Sequence, residues 1–158
     1  MTLRIHVLAV GRLKAGPERS LVEDYLDRFN RTGRQLGLGP VQVIEVEDRR
    51  GAGKVGEADL LRRAVPQGAL MAVLDERGKM DASPRFADRL AGWRDSGRSD
   101  LAVLIGGADG VTSDLRGDAD FALSFGPMVW PHMLVRVMLA EQLYRAASIL
   151  AGSPYHRI

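Results

Sequence analysis

Two residues near the start of the last predicted helix have side chains suited to acid–base chemistry. His132 and Arg136 are four residues apart, which places both on the same face of a helix. An imidazole can accept a proton, and a nearby guanidinium can stabilise the negative charge that proton loss leaves behind. The preceding loop is interrupted by Pro127 and Pro131 and carries three apolar side chains at 128–130. These residues indicate either a pocket wall or ordinary packing of an amphipathic helix.

The end of the chain, Tyr155-His156-Arg157, combines an aromatic ring, an imidazole and a guanidinium. Such a group can stack on a nucleobase and bind a phosphate. The alternative is a frayed terminus without a ligand.

A glycine pair follows an apolar segment in Leu101–Gly110, LAVLIGGADG. A buried strand that runs into Gly106 and Gly107 allows a ligand to approach the backbone closely at the carboxyl end of a sheet. A tight turn that needs glycine for its own geometry explains the pair equally well.

A second glycine-rich segment, DRRGAGKVG at 48–56, has the G-x-G-x-x-G spacing of dinucleotide-binding loops. The strand predicted before it is too polar for a central parallel strand, and Pro66 ends the following helix early. We therefore favour a basic surface loop over a dinucleotide site. The glycines of the motif are Gly51, Gly53 and Gly56. Three basic residues of the loop can either contact phosphates or remain solvated without a partner: Arg49, Arg50 and Lys54.

The elements that must position these residues alternate between strand and helix, which predicts an α/β fold with a mainly parallel sheet flanked by helices. We expect a single domain over residues 1–158. On the first helix, Leu21, Tyr25 and Phe29 are predicted to form the apolar face. Strands are predicted at 3–10, 41–47, 70–75, 101–105 and 121–125, and helices from Pro17, at 57–65, from an N-cap at Ser83 to 96, at 112–117 and from 131 to 150.

The composition excludes several classes of protein. With 46% hydrophobic and 27% charged residues, the chain is not disordered. The chain contains no cysteine and its three histidines are scattered, so neither a disulfide framework nor a metal site is predicted. The G-x-S-x-G motif of Ser-His-Asp hydrolases is absent from the sequence. The longest uncharged run, 121–135, is 15 residues and too short to span a membrane, so we expect a cytoplasmic protein without a membrane partner. The net charge of +2 is far below that of an autonomous nucleic-acid binder.

Several of these segments together resemble one family. They are VLAVGRLK at 7–14, VLIGG at 103–107 with the ADG that follows, WPHMLVRVMLAEQLYRA at 130–146 and SPYHR at 153–157. In these four segments the chain resembles the bacterial large-subunit (23S) ribosomal RNA pseudouridine N3-methyltransferases of the SPOUT superfamily. The resemblance covers essentially the whole chain. Ala108-Asp109 departs from the Pro-Glu that is frequent in the family, and Ile158 ends a chain that often ends in an acid.

This resemblance implies a C-terminal trefoil knot, a homodimer, S-adenosylmethionine as methyl donor and a pseudouridine of large-subunit ribosomal RNA as substrate. Carried over by position, the methyl donor is held by Leu74, Gly106 and the loop Phe125-Gly126-Pro127-Met128-Val129-Trp130. We expect Arg136 and His132 to gather near the methyl group with Tyr155, His156 and Arg157, some of them supplied by the partner chain. Arg136 then stabilises charge or holds phosphate, and His132 or His156 is the base.

Two other functions are compatible with the residues alone. A dinucleotide-dependent oxidoreductase would use the loop Gly51–Gly56, and a ribosome-binding module would have no catalytic activity.

Overall fold

The computed structural model describes residues 1–157 and contains one sheet of five strands. Every strand pairing is parallel, and the spatial order is β2-β1-β4-β3-β5. The predicted α/β architecture is thereby confirmed. The strands are β1 (Leu3–Val10), β2 (Leu38–Val46), β3 (Leu70–Lys79), β4 (Asp100–Ile105) and β5 (Phe121–Leu123).

Within residues 1–157, five helices cover the two faces of the sheet, and each face has its own apolar core. Phe29, Leu90 and Leu143 represent the larger core, which α1, α3 and α5 bury against one face. Leu61 and Leu115 belong to the smaller core, which α2 and α4 bury on the other face. The helices are α1 (Pro17–Gly33), α2 (Gly53–Ala64), α3 (Ser83–Asp95), α4 (Ser113–Asp118) and α5 (His132–Leu150), and a short 3-10 turn spans Arg34–Leu36.

The strand β2 lies at the edge of the sheet, which explains its polar composition. The central strand β4, by contrast, is buried along its whole length after Asp100. This placement agrees with the prediction that the strand before the Gly51–Gly56 loop is not a central one.

The strand β3 is longer than its apolar sequence predicts. It continues past Asp75 to Lys79, and after a register shift Lys79 pairs with Leu123. Gly78 makes this possible, because a Cβ atom there would lie 2.6 Å from the carbonyl oxygen of Ala122.

The apolar face of α1 differs from the predicted one. Leu21 is 44% exposed, whereas Val22, Leu26 and Phe29 are buried. Tyr25 is partly buried and lies against Tyr144 of α5, with the ring centroids 6.4 Å apart. The prediction for Leu21 was wrong because two stripes at helical spacing converge on Phe29, and only packing against the sheet selects between them.

Ser83 also has a role different from the predicted N-cap. It is the first residue of α3, with Ala82 at the cap position, and its hydroxyl donates to Gln142 Oε1 of α5 at 2.8 Å. This bond helps to hold α3 against α5.

Two further expectations concern the chain as a whole. None of the helices in the described part of the chain has the length and apolar character of a membrane-spanning segment. The trefoil knot stays a prediction.

Candidate functional site

The second half of β3 and the loops that follow β4 and β5 enclose a cleft at the carboxyl edge of the sheet. Its volume is about 320 Å³, within the range of small-molecule sites. In open parallel sheets this edge is the usual place for a ligand, since the loops there can vary without disturbing the sheet. The floor is apolar, and the residues that form it include Leu74, Ile105, Leu123 and Val135.

Most of the residues that the sequence assigns to the methyl donor line this cleft. Pro127 belongs to the same loop but lies off the cleft wall. The predicted residues on the wall are Leu74, Gly106, Phe125, Gly126, Met128, Val129 and Trp130.

Main-chain contacts fix the two loops that form the walls. In the loop after β4, Gly110 N–H donates to the Gly107 carbonyl at 3.0 Å, and a Cβ atom at Gly106 would lie 2.5 Å from the Gly110 carbonyl oxygen. In the loop after β5, the buried Ser124 hydroxyl accepts from Gly126 N–H at 2.9 Å and donates to the Glu76 carbonyl at 3.0 Å. Backbone groups and the Ser124 hydroxyl therefore hold these two loops in place.

His132 lines the cleft from the first residue of α5, next to the apolar loop. Within residues 1–157 of a single chain, His132 is the one predicted catalytic residue that lines the cleft.

Arg136 lies elsewhere, buried between α5 and the ends of β1 and β2. Its Nη1 donates to Glu45 Oε2 at 2.6 Å, and its Nη2 donates to the carbonyls of Val10 and Gly11, both at 2.7 Å. Its side chain is 4% exposed, and its Nε has no partner within residues 1–157. Glu45 Oε2 also accepts from Leu13 N–H at 2.7 Å. The guanidinium therefore ties α5 to the loop after β1 and does not line the cleft in its own chain.

The C-terminal residues pack on α5, well along the helix from His132. Tyr155 donates to Glu141 Oε1 at 3.0 Å, and Arg145 Nη1 lies 3.1 Å from His156 Nδ1. Glu141 is roughly 13 Å along the helix axis from His132. Burial, followed by the hydrogen bond to Glu141, raises the pKa of Tyr155. Within one chain, Tyr155, His156 and Arg157 are not brought to the cleft.

The cleft also contains charged residues that the sequence did not single out. Asp75, Glu76, Arg77 and Asp109 line it, together with Lys54, which the sequence placed in the basic segment 48–56. Their ordinary surface composition gives no signal, because the extension of β3 brings Glu76 and Arg77 to the cleft and the loop after β4 brings Asp109.

Glu57 is a further candidate that the sequence does not single out. Its Oε1 is buried without a hydrogen-bond partner in the described residues, and a Cβ atom at Gly107 would lie 2.9 Å from its Oε2. Burial raises the pKa of Glu57, and the charges of Asp109 and Asp48 raise it further.

The Gly51–Gly56 segment does not form a separate ligand loop. The helix α2 begins inside it, at Gly53, because Asp48 Oδ2 accepts from Gly53 N–H at 2.9 Å. Lys54 is the residue of this segment that lines the cleft. No group of three potential metal ligands is found within the described residues.

Comparisons with known proteins agree with this architecture. The family described as "Predicted SPOUT methyltransferase" matches residues 3–156. The chain is 72% identical to "Ribosomal RNA large subunit methyltransferase H" of Roseobacter denitrificans over 155 residues, which cover 98% of this chain and 99% of that protein. It is 69% identical to the protein of the same name from Ruegeria pomeroyi, over 99% of this chain and 100% of that one.

Solved structures resemble the fold at low sequence identity. A probable methyltransferase from Bordetella pertussis Tohama I has a TM-score of 0.53 at 14% identity, covering 91% of this chain and 96% of that one. A probable methylase family protein from Haemophilus influenzae Rd KW20 has a TM-score of 0.52 at 12% identity, covering 99% of this chain and 70% of that one. With its five parallel strands, its cleft at their carboxyl ends and this match over nearly its whole length, the chain belongs to the SPOUT methyltransferase family.

Proposed function

We propose that this protein transfers a methyl group from S-adenosylmethionine to N3 of a pseudouridine in the 23S RNA of the large ribosomal subunit. The names of its relatives support ribosomal RNA of the large subunit as the substrate. The choice of pseudouridine N3 rests on the resemblance of segments 103–107, 130–146 and 153–157 to that family.

The observation that carries the proposal is the cleft between the loops after β4 and β5. Its apolar floor and its exposed main-chain groups suit an adenosyl group, which presents an apolar ring with hydrogen-bonding edges. Leu74, Gly106 and the loop 125–130 would hold that group. A bound S-adenosylmethionine supplies a methyl group on a positively charged sulfur, which is already a strong electrophile.

The residues of the chain then have two tasks. The first is to align the target base with the methyl group, since orientation alone can contribute up to about 7–11 kcal/mol. The second is to remove the proton from N3, and His132 is the group on the cleft wall that is suited to accept it. His156 of a second chain is the other candidate for the base that accepts this proton.

A second copy of the chain completes the site in this proposal. Five large apolar side chains within residues 128–134 are each 40–84% exposed in one chain, namely Met128, Val129, Trp130, Met133 and Leu134. Monomeric proteins rarely leave such patches uncovered. A homodimer that covers this segment would also allow Tyr155, His156 and Arg157 of one chain to reach the cleft of the other.

Arg136 acts in this arrangement as a positioning residue. Its bonds to Glu45 and to the Val10 and Gly11 carbonyls hold the first turns of α5, and hence His132, against the strand ends. In this proposal Arg136 positions His132, whereas the sequence led us to expect that Arg136 itself stabilises negative charge or holds phosphate.

The proposal is tested by incubating the protein with isotope-labelled S-adenosylmethionine and ribosomal particles that lack the methyl group. We expect label at one pseudouridine of the large-subunit RNA, and with His132→Ala a rate at least about 100-fold lower. Absence of transfer from the wild-type protein would favour a non-catalytic ribosome-binding module. A change in nicotinamide absorbance with no methyl transfer would favour an oxidoreductase.

A further inference from the structure

The charged side chains that line the cleft come from segments other than the loop after β5. The loop after β5 contributes only main chain and apolar side chains to it. Lys54 comes from the first turn of α2, Glu76 and Arg77 come from β3, and Asp109 comes from the loop after β4. An adenosyl group seated on the apolar side therefore leaves a charged region beside it.

These four side chains are not neutralised by one another or by neighbours. Within residues 1–157, none of them has an ion-pair partner within 4.0 Å. Asp75 provides the contrast, because it also lines the cleft but pairs with Arg116 at 3.2 Å and accepts from Arg77 N–H at 2.8 Å. Asp75 thus holds the turn at Arg77 in place, while the Arg77 side chain stays available.

The balance of charge indicates which kind of ligand suits this region. Two cations and two carboxylates give no net charge, so a phosphodiester attracted by Lys54 and Arg77 would be repelled by the carboxylates. A zwitterion uses both signs, because its carboxylate can bind the cations and its ammonium can bind the carboxylates.

On the basis of the methyl-donor cleft proposed above, we propose that Lys54, Arg77, Glu76 and Asp109 form a binding site for the α-amino-acid zwitterion of the donor. Lys54 and Arg77 bind its carboxylate. Glu76 and Asp109 bind its ammonium group and attract the positively charged sulfur. The site thereby favours nucleosides that carry an intact amino-acid chain.

Isothermal titration calorimetry with three nucleosides tests this assignment. S-adenosylhomocysteine carries the complete zwitterion, decarboxylated S-adenosylmethionine keeps the ammonium but lacks the carboxylate, and 5′-methylthioadenosine lacks the amino-acid chain. The proteins are wild type, Lys54→Gln/Arg77→Gln and, as a matched control, Arg34→Gln/Arg85→Gln. Arg34 and Arg85 are exposed, lie outside the cleft and have no ion-pair partner in the described part of the chain.

We expect wild type to bind S-adenosylhomocysteine more tightly than 5′-methylthioadenosine. In Lys54→Gln/Arg77→Gln, the affinity for S-adenosylhomocysteine should fall about five- to thirtyfold, as expected for two solvent-accessible charge contacts. The affinity for 5′-methylthioadenosine should change less than about twofold. The affinity for decarboxylated S-adenosylmethionine should not fall, because its two positive charges lose two repulsive neighbours. The control should match wild type throughout. Higher salt should weaken the binding of S-adenosylhomocysteine to wild type more than to the variant, which keeps only Glu76 and Asp109 against the ammonium group.

Two results would overturn the assignment. One is equal wild-type affinity for S-adenosylhomocysteine and 5′-methylthioadenosine, since the amino-acid chain would then contribute nothing. The other is an unchanged affinity for S-adenosylhomocysteine in the variant, and a raised KM for ribosomal particles in that case would indicate that Lys54 and Arg77 bind RNA phosphate instead. If wild type binds none of the three nucleosides, the proposed function fails together with the zwitterion site.

Discussion

At the scale of single residues, Arg136 has the most demanding environment. Its guanidinium is almost completely buried and relies on Glu45 and two carbonyls for compensation. A buried charge network loses several kcal/mol when one partner is removed, because the other groups are left unpaired.

Arg136→Met should therefore lower the free energy of unfolding by about 3 kcal/mol. The melting temperature should fall by roughly 6–12 °C. Urea and thermal unfolding followed by circular dichroism measure both quantities. Arg19→Met is the matched control, since Arg19 forms an exposed pair with Glu23 and its loss should cost less than about 1 kcal/mol. A variant as stable as wild type would contradict the positioning role of Arg136.

Glu57 gives a prediction on pH. Its pKa is raised in the folded chain, chiefly by burial, so the ionised carboxylate is less favourable there than in the unfolded chain. The stability that Glu57 contributes is therefore complete below its unfolded pKa and is lost as the pH rises through its folded pKa.

Glu57→Gln should accordingly be more stable than wild type at pH 7, and this advantage should vanish below about pH 4. Urea unfolding at a series of pH values measures the difference. Glu47→Gln serves as the control. Glu47 is half exposed and directly precedes the glycine-rich segment 48–56, whereas Glu57 directly follows it. An advantage that stays constant down to pH 3 would mean that the carboxylate is not destabilised by burial.

At the scale of elements, the turn after β4 is the most tightly constrained part of the cleft. A Cβ atom at Gly106 would lie 2.5 Å from the carbonyl oxygen and 2.6 Å from the carbonyl carbon of Gly110. Both atoms belong to the backbone, so the loop 106–110 must move to accept any side chain.

We expect Gly106→Ala to weaken S-adenosylhomocysteine binding by at least about tenfold, corresponding to 1.4 kcal/mol, since the backbone wall of the cleft shifts. The sheet should remain intact, as judged by far-ultraviolet circular dichroism. Gly97→Ala is the control for a glycine whose Cβ would meet nothing within 4 Å, although its positive φ of 87° costs stability. Normal nucleoside binding by Gly106→Ala would contradict the placement of the donor against this turn.

The elements also show what the sequence predicts and where prediction stops. The bounds of β1 and the end of α5 agree with the apolar patterning, because both are set by local alternation or periodicity. The continuation of β3 to Lys79 does not, because Glu76, Arg77 and Lys79 look like a surface loop until Gly78 packs on the backbone of β5. The residues placed on the apolar wall of the cleft follow from the resemblance, whereas its charged wall depends on contacts between distant segments.

At the scale of the whole molecule, the distance between the cleft and the C-terminal residues requires an explanation. One chain places His132 at the start of α5 and packs Tyr155 against Glu141, farther along the same helix. A homodimer accounts for this separation if each cleft is completed by the tail of the other chain.

Mixing two inactive variants tests the exchange of tails. His132→Ala and a chain that ends at residue 154 should each lack activity, but after unfolding and refolding together they should regain about a quarter of the wild-type rate, since half of randomly formed dimers carry one complete site. Refolding each variant alone is the control. If the mixture stays inactive while wild type refolds to full activity, the tail acts within its own chain.

The modest net charge of +2 also bears on the substrate. Few phosphate contacts mean little affinity from counterion release, so a short RNA should bind weakly. We expect methylation of ribosomal particles and negligible methylation of an isolated stem-loop at the same concentration. Rapid methylation of the isolated stem-loop would show that the particle contributes nothing to recognition.

The central claim is that the cleft at the carboxyl ends of β3, β4 and β5 methylates one pseudouridine of the large-subunit RNA. Mass-spectrometric mapping of ribosomal RNA from cells that lack this protein tests it most directly. We predict the loss of one methyl group from one pseudouridine, restored by the wild-type chain and not by His132→Ala. An unchanged modification pattern in those cells would contradict the account.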